Sequence, residues 1–252
     1  MGKRIKTITA GRLVAAVCYT VAGPRDDAHQ QHCKREMTTA AQERINLRRA
    51  WQKLEMLLAA NFRSMDLHVV HTYDDEHLPL NKETALKRYR KMLRQLRGCR
   101  KVLSHPTRYI YVTEQLSSEG GRIHHHMVLN GTGQDVETLQ SLWPYGNVEV
   151  ERLDVWEGYE ALAKYLTKEP REVGRCRLGE RTWTPSIGLA KPKVESDYVK
   201  DNVTITLPPG AIVLARNSDN KGWGEYAYIK YLMPSRKEQK KGTRPPSRRK
   251  TA

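Results

Sequence analysis

Three consecutive histidines, His124, His125 and His126, stand in a segment whose composition predicts a β-strand over residues 122–130. Side chains alternate between the two faces of a strand, so His124 and His126 point to the same side. Two imidazoles at this spacing can bind one metal ion. The alternative is a chance surface cluster, because a motif this short is weak evidence by itself.

A carboxylate that would complete such a metal site ends the preceding predicted strand. Residues 108–114 (RYIYVTE) have the composition of a strand, and the SSEGG turn that follows joins it to the histidine strand as a hairpin. Glu114 lies at the end of this strand and is therefore the best-placed third ligand. The sequence does not fix the register between the two strands.

A tyrosine and a lysine form a second candidate site. Tyr165 and Lys168 lie three residues apart in a predicted helix over residues 156–168, so they share one face of it. A tyrosine hydroxyl is a poor nucleophile at its ordinary pKa, and an adjacent cation favours the phenolate and neutralises a phosphate under attack. The pair therefore suits phosphoryl transfer. The alternative is a packed ring beside a solvated amine.

The elements that must position these residues predict an α+β fold. An amphipathic helix over residues 38–60 precedes strand, helix, strand, strand, helix and strand segments, and the tyrosine helix follows the fourth strand. This βαββαβ order predicts an antiparallel sheet with helices on one face. We expect four regions: an N-terminal arm (1–37), the main domain (38–190), a small β-rich extension (191–233) and a disordered basic tail (234–252).

The charge of the chain indicates a polyanionic partner. It has 44 basic and 28 acidic residues, a formal net charge of +16. Nucleic acid is favoured over a membrane surface, since basic side chains that neutralise phosphates release counterions. No apolar run approaches the roughly 20 residues of a membrane span. The expected contacts lie on a basic helix and beside Tyr165: Lys82, Lys87, Arg88, Arg90, Lys91, Arg94 and Lys164.

Cysteine usage favours a reducing cytosol. The four cysteines are far apart and form no CxxC pair. Cys18, His29, His32 and Cys33 have mixed ligand types for zinc, but adjacent His32 and Cys33 are awkward for one tetrahedral ion. A loosely packed N-terminal arm is the favoured interpretation of this segment.

The ordered segments VVHTYDDEHLP, YVTEQ, GRIHHHMVLN, LWPYGNVEVERL and YEALAKYLTKEP resemble the HUH endonucleases, specifically rolling-circle replication initiators of bacterial phages and mobile elements. The resemblance covers roughly residues 38–200. It implies a ferredoxin-like or RRM-like core that binds Mg²⁺ or Mn²⁺ and nicks single-stranded DNA. By motif position the metal ligands are His124, His126 and Glu114, the nucleophile is Tyr165 and its helper is Lys168.

The resemblance also implies a reaction and a set of partners. Tyr165 would attack a phosphodiester at a replication origin, leaving a 5′-phosphotyrosine and a free 3′-OH in the cytoplasm of a bacterial host. The sequence has no P-loop, so a host helicase and a polymerase would be partners. Two-tyrosine relatives carry a second tyrosine one helical turn earlier, where this chain has Ala161. A one-tyrosine enzyme would need a second protomer or a second round to terminate.

The chain departs from the family pattern at three residues, Val70, His71 and His125. His125 replaces an apolar residue and is expected to pack or hydrogen-bond on the opposite side of the sheet. His71 falls in a motif that usually resembles TLTYDD, and it is either a neighbour of the metal or a partly buried structural histidine. The altered motif motivates an alternative, a catalytically inactive DNA-binding protein on the same fold. A relaxase or a transposase would use the same chemistry. An RNA-binding module on an RRM-like sheet is the least favoured alternative, because the central strands lack the aromatic signature of such modules.

Overall fold

A computed structural model describes residues 2–21, 40–115, 122–154, 158–167, 183–221 and 224–234. The protein is α+β, and the described part of the chain divides between two compact units. The central unit is Thr38–Ala190, and the terminal unit combines Met1–Met37 with Lys191–Ala252. None of the described helices is long and apolar enough to cross a membrane.

Ten strands and four helices are described, numbered here along the chain. They are β1 (Gly2–Ala10), β2 (Leu13–Val21), α1 (Ala40–Asn61), β3 (Leu67–His71), α2 (Lys82–Val102), β4 (Tyr109–Gln115), β5 (Ile123–Leu129), α3 (Asp135–Leu142), β6 (Val148–Arg152), α4 (Glu160–Leu166), β7 (Thr184–Pro185), β8 (Lys193–Val199), β9 (Ile212–Lys221) and β10 (Gly224–Leu232).

The central unit is built on a five-stranded sheet with the spatial order β6-β3-β5-β4-β7, in which every neighbouring pair is antiparallel. β5 is the middle strand, and nearly all of its residues are buried. A strand buried on both faces needs cover on both faces. The centre of this sheet is therefore a place where polar side chains are held away from bulk water.

Helices cover both faces of this sheet, so the expectation of helices on one face holds for the two crossover helices and is corrected for α1 and α4. The crossover helices α2 and α3 pack on the face of Val69, Met127 and Leu129. α1 and α4 pack on the opposite face, against Val112 and Val128. The physical reason is that the apolar residues of β4 and β5 do not alternate with polar ones, so neither face can be left to water.

The helix α2 continues past Gly98, a residue type that commonly ends a helix. Asn81 caps its start, since its side chain accepts a hydrogen bond from the Thr84 N–H at 2.9 Å. The helix continues to Val102 because buried Arg100, in its last turn, donates to Asp135 at 2.6 Å and to the Asn130 side chain at 2.8 Å. These buried hydrogen bonds stabilise the end of the helix by more than the low helix propensity of Gly98 destabilises it.

The terminal unit is a second five-stranded antiparallel sheet, in the order β8-β1-β2-β10-β9. The N-terminal arm expected over residues 1–37 is thus corrected, because β1 and β2 form a hairpin in the middle of this sheet. Their partner strands lie at the other end of the sequence, which is why the local pattern did not reveal them. Cys18 is buried in β2, and His29, His32 and Cys33 lie outside the described residues.

Candidate active site

The register of the central sheet places the predicted metal ligands on one face. Glu114 lies directly opposite His124 in the hairpin of β4 and β5. His126, two residues further along β5, lies opposite Val112 on one side and Val70 on the other. This face is the one that α1 and α4 cover, and the histidine pair stands near its centre.

Glu114 and His126 are in direct contact. His126 Nε2 lies 2.8 Å from Glu114 Oε2, and the side chains are 4% and 14% exposed. A neutral imidazole that donates from Nε2 has its lone pair on Nδ1. His126 Nδ1 is buried without a hydrogen-bond partner in the described part of the chain. The Glu114 carboxylate therefore orients a buried ring that keeps one unsatisfied nitrogen.

Tyr165 reaches this contact from α4. Its ring meets the His126 ring edge to face, with centroids 5.2 Å apart and planes at 89°. The helix is fixed by Ala163 and Leu166, which are buried against the sheet, while the Tyr165 side chain is 46% exposed. Burial, and then the negative charge of Glu114, raise the pKa of Tyr165. In this state the tyrosine is a phenol at the border of the site and solvent.

His68 is part of the cluster, and sequence reasoning missed it. Its ring stacks on His126 with centroids 5.6 Å apart and planes at 11°, and it meets Tyr165 edge to face at 6.3 Å. Burial, together with the neighbouring His126, lowers the pKa of His68 to about 4. Its Nε2 is buried and unpaired within the described ranges. Only the pairing of β3 with β5, which the sequence does not fix, brings it here.

The residue types at this site fit a divalent metal. His124 shares the face, and burial followed by repulsion from His126 lowers its pKa, so its ring is neutral and able to coordinate. Two imidazoles and the Glu114 carboxylate are a donor set for a transition ion such as Mn²⁺. The described residues nevertheless hold no three such side chains already in metal-binding geometry. Binding would have to exchange the hydrogen bond between Glu114 and His126 for metal bonds.

His125 and His71 lie on the opposite face of the sheet. His125 is buried, its two ring nitrogens contact Tyr73 Oη at 3.0 Å and Thr113 Oγ1 at 2.8 Å, and its ring stacks on Tyr89 at 4.1 Å. His71 is equally buried beside Tyr89. Burial lowers the pKa of His71 to about 3 and that of His125 well below its ordinary value. Both are structural histidines of the aromatic core.

A single tyrosine of α4 faces the histidines. Tyr159 is buried at the start of the helix, and its hydroxyl donates to the Phe62 carbonyl. The Lys164 ammonium lies over the Trp51 ring, 4.9 Å from its centroid, and forms an ion pair with Glu160. Lys168, the expected helper of Tyr165, lies outside the described residues.

The basic residues of α2 are not on the face of the site. α2 packs on the face of His125, so its side chains are separated from Tyr165 by the sheet. Arg88 lies over the Tyr145 ring at 4.8 Å and Lys87 pairs with Glu83 at 3.1 Å. The remaining predicted contacts on this helix are half-buried Lys82 and exposed Arg90, Lys91 and Arg94.

Residues 66–170 match the family model described as replication-associated protein ORF2/G2P. The matched segment runs from the residue before β3 past the end of α4, so it contains every predicted metal ligand together with Tyr165 and Lys168. Neither the comparison with curated proteins nor that with solved structures gives a match. The similarity supports a role in the initiation of DNA replication.

Proposed function

We propose that this protein nicks and rejoins single-stranded DNA with Tyr165 as the nucleophile and so initiates rolling-circle replication. The observation that carries the proposal is the contact of Tyr165 with the pair formed by His126 and Glu114. These three residues come from α4, β5 and β4, and the sequence motifs predict all three as site residues. The similarity of residues 66–170 to replication-associated proteins supports the same assignment.

The fold of the central unit supports the proposal as well. We take its chain order, β3-α2-β4-β5-α3-β6, and its sheet order, β6-β3-β5-β4, as support for the ferredoxin-like core that the resemblance implies. β7 adds a short strand to one edge. In this assignment α4 follows the fourth strand of the core and brings the nucleophile back over the middle of the sheet.

The reaction is a transfer of one phosphodiester to tyrosine and back. The Tyr165 oxygen forms a bond to phosphorus as the bond from phosphorus to the 3′ oxygen breaks, and the phenolic proton passes to solvent. The 3′ oxygen leaves and takes up a proton, and the 5′ phosphate stays on Tyr165. Attack by a 3′-OH on this linkage restores the phosphodiester and the free tyrosine.

The raised pKa of Tyr165 defines what the site must do before attack. Burial, and then the carboxylate of Glu114, disfavour the phenolate, so attack requires a positive charge that offsets both effects. Mg²⁺ or Mn²⁺ held by His124, His126 and Glu114 would supply Lewis-acid charge against the scissile phosphate. The contact between Glu114 and His126 orients two of these three ligands. Lys168 is the proposed source of further positive charge.

Binding of the DNA strand is the role we propose for the basic residues. Lys164 lies one residue from the nucleophile and is the nearest of them in sequence. The α2 residues Arg90, Lys91 and Arg94 lie on the other face of the sheet. They can therefore contact only a DNA strand that passes around an edge of the sheet. A host helicase and polymerase, and a second protomer for termination, complete the proposed set of partners.

A second candidate is a DNA-binding protein without nuclease activity. The hydrogen bond that already joins Glu114 to His126 favours it, because a carboxylate satisfied in this way does not require a metal. The two candidates differ in one property, which is the covalent linkage of DNA to Tyr165.

A covalent adduct with labelled single-stranded DNA tests the choice. The purified protein is mixed with Mn²⁺ and a randomised oligonucleotide pool, and label that remains on the protein after denaturation is measured. We expect adduct with wild type and with Tyr145→Phe, which loses one hydroxyl in the same unit, but none with Tyr165→Phe or His126→Ala. If wild type binds the pool and forms no adduct, the nuclease is rejected in favour of the binder. If Tyr165→Phe forms as much adduct as wild type, Tyr165 is rejected as the nucleophile.

A further inference from the structure

The terminal unit carries a row of aromatic and basic side chains across one face of its sheet. Cross-strand pairing places Tyr198 opposite Arg4, Arg4 opposite Tyr19 and Tyr19 opposite Tyr226. Directly paired residues project from the same face of a sheet, so these four side chains form one continuous row over β8, β1, β2 and β10. We call it the tyrosine row.

Two of the rings in this row are exposed well beyond what folding requires. Tyr198 is 72% exposed and Tyr226 is 41% exposed. A hydrophobic cluster lies on the other face, where Val14, Ala16 and Ile229 pack against the segment that contains Ile205 and Leu207. On the face of the row itself, Leu13, Ala15 and Leu232 are buried at the end of the strands away from Tyr19 and Tyr226. The tyrosine row is therefore not part of that cluster, and exposed aromatic groups of this kind mark interaction surfaces.

Arg4 is held in an orientation that suits an anionic and aromatic ligand. Its guanidinium lies over the Tyr198 ring at 5.2 Å, and its Nε donates to Ser196 Oγ at 2.7 Å. An arginine fixed in this way keeps four further N–H donors and presents a planar surface beside the ring. Both features are used by proteins that bind phosphates and unpaired bases.

Charges are distributed unevenly between the two faces of this sheet. Arg4 and the exposed Lys6 share the face of the tyrosine row, where Asp219 at the far end is the acidic residue. The acidic residues Glu195, Asp197 and Glu225 pair with residues that project from the opposite face. That face also carries Lys3, Lys193 and Arg216, so its charges balance. A polyanion is therefore favoured on the face of the tyrosine row, where basic residues are in excess.

We propose that the tyrosine row is a binding platform for single-stranded DNA, separate from the site at Tyr165. Successive bases stack on Tyr198, Tyr19 and Tyr226 while Arg4 and Lys6 contact the backbone. Tyr198 and Tyr226 are three strand spacings apart, about 14 Å, so one short oligonucleotide reaches both. Duplex DNA does not fit this surface in the same way, because stacking on a ring requires unpaired bases. The choice of DNA follows the proposed function, but binding here does not depend on the chemistry of Tyr165.

Binding of a labelled oligo-dT of about 15 nucleotides tests the platform. Fluorescence anisotropy is measured with the full chain in EDTA, so that cleavage does not contribute. We expect the double variant Tyr198→Ala, Tyr226→Ala to raise Kd at least about tenfold, and the double Phe variant to stay within about twofold because the rings remain. Lys6→Ala should lower the salt dependence of log Kd by about one, whereas Lys193→Ala, an exposed lysine of the opposite face, should have a smaller effect.

Three results overturn the platform. They are wild-type protein that does not bind oligo-dT, a double Ala variant that binds it within about twofold of wild type, and a double Phe variant that binds as weakly as the Ala one. The second result would leave a protein partner as the occupant of this face. If thermal unfolding shows that the double variant is not folded, the single variant Tyr198→Ala on an edge strand decides. Tyr165→Phe must bind as wild type does, which separates this test from that of the nuclease.

Discussion

At the scale of single residues, the site depends on how His126 is held. Glu114 contacts its Nε2 and His68 stacks on its ring, so the imidazole is fixed from one edge and from one face. A side chain that orients a ligand or a reacting group commonly contributes about 10- to 100-fold to activity. His68 is the residue of this kind that the structure adds to the sequence prediction.

We expect His68→Ala to lower the rate of adduct formation about 10- to 100-fold, since His126 loses the ring that fixes it. His68→Phe keeps a ring and removes a buried unpaired nitrogen, so it should stay within about threefold of wild type and unfold at an equal or higher urea concentration. Adduct assays and urea unfolding check both. A Phe variant as inactive as the Ala variant would show that the nitrogen itself is required.

His71 makes stability depend on pH. Its folded pKa is about 3 and its ordinary value is 6.5, so below pH 6.5 the unfolded chain binds a proton that the folded chain does not. Its contribution to the free energy of unfolding is complete above pH 6.5 and is lost as the pH falls towards 3. His68, His124 and His125 act in the same direction.

We therefore expect His71→Phe to weaken the pH dependence of unfolding. Between pH 7 and pH 5 its free energy of unfolding should fall by about 2 kcal/mol less than that of wild type. Urea titrations at the two pH values give the difference. Equal losses in the two proteins would mean that His71 takes up its proton over the same pH range in the folded chain as in the unfolded chain.

The sequence predicted the alternation of the histidines but not their surroundings. That His124 and His126 share a face, and that His125 is on the other, follows from the period of a strand. That His68 belongs to the first group and His71 to the second depends on the pairing of β3 with β5, which joins residues more than 50 positions apart. Non-local register of this kind is not encoded in local composition.

At the scale of elements, the position of α2 limits what its basic side chains can do. The strands and helices of the central unit were readable from their periodicity, but which face each helix covers was not. α2 packs against the aromatic core around Tyr89 and Met92, on the face opposite to Tyr165. Its exposed arginines are therefore assigned to binding and not to chemistry.

We expect Arg90→Ala and Arg94→Ala to weaken DNA binding about equally for all sequences and to lower its salt dependence by about one per residue. At saturating oligonucleotide the rate of adduct formation should not change, because neither residue is near the reacting phosphate. Binding at several salt concentrations and single-turnover rates check this. A lower rate at saturation would place α2 beside the active site.

At the scale of the whole molecule, the sequence of the central unit interrupts that of the terminal unit. The terminal unit takes strands from both ends of the chain, and the central unit is one continuous segment, Thr38–Ala190. The elements of the central unit were predicted well because each is local in sequence. The β1–β2 hairpin and the C-terminal strands were predicted as separate regions because the central unit lies between them in the sequence. Such a segment with its own hydrophobic core can fold alone.

We expect a chain of residues 38–190 to retain adduct formation at high oligonucleotide concentration while its Kd rises at least about tenfold, because it lacks the tyrosine row. Circular dichroism would verify that it is folded, and adduct yield against oligonucleotide concentration would give both quantities. Unchanged affinity would assign all DNA binding to the central unit.

Identification of the linked residue tests the central claim most directly. Adduct formed with Mn²⁺ and single-stranded DNA is digested with nuclease and protease, and the modified peptide is sequenced by mass spectrometry. Our account predicts a nucleotide phosphate on Tyr165 and on no other tyrosine. A nucleotide on any other residue, or wild-type protein that binds the DNA and carries none, would contradict it.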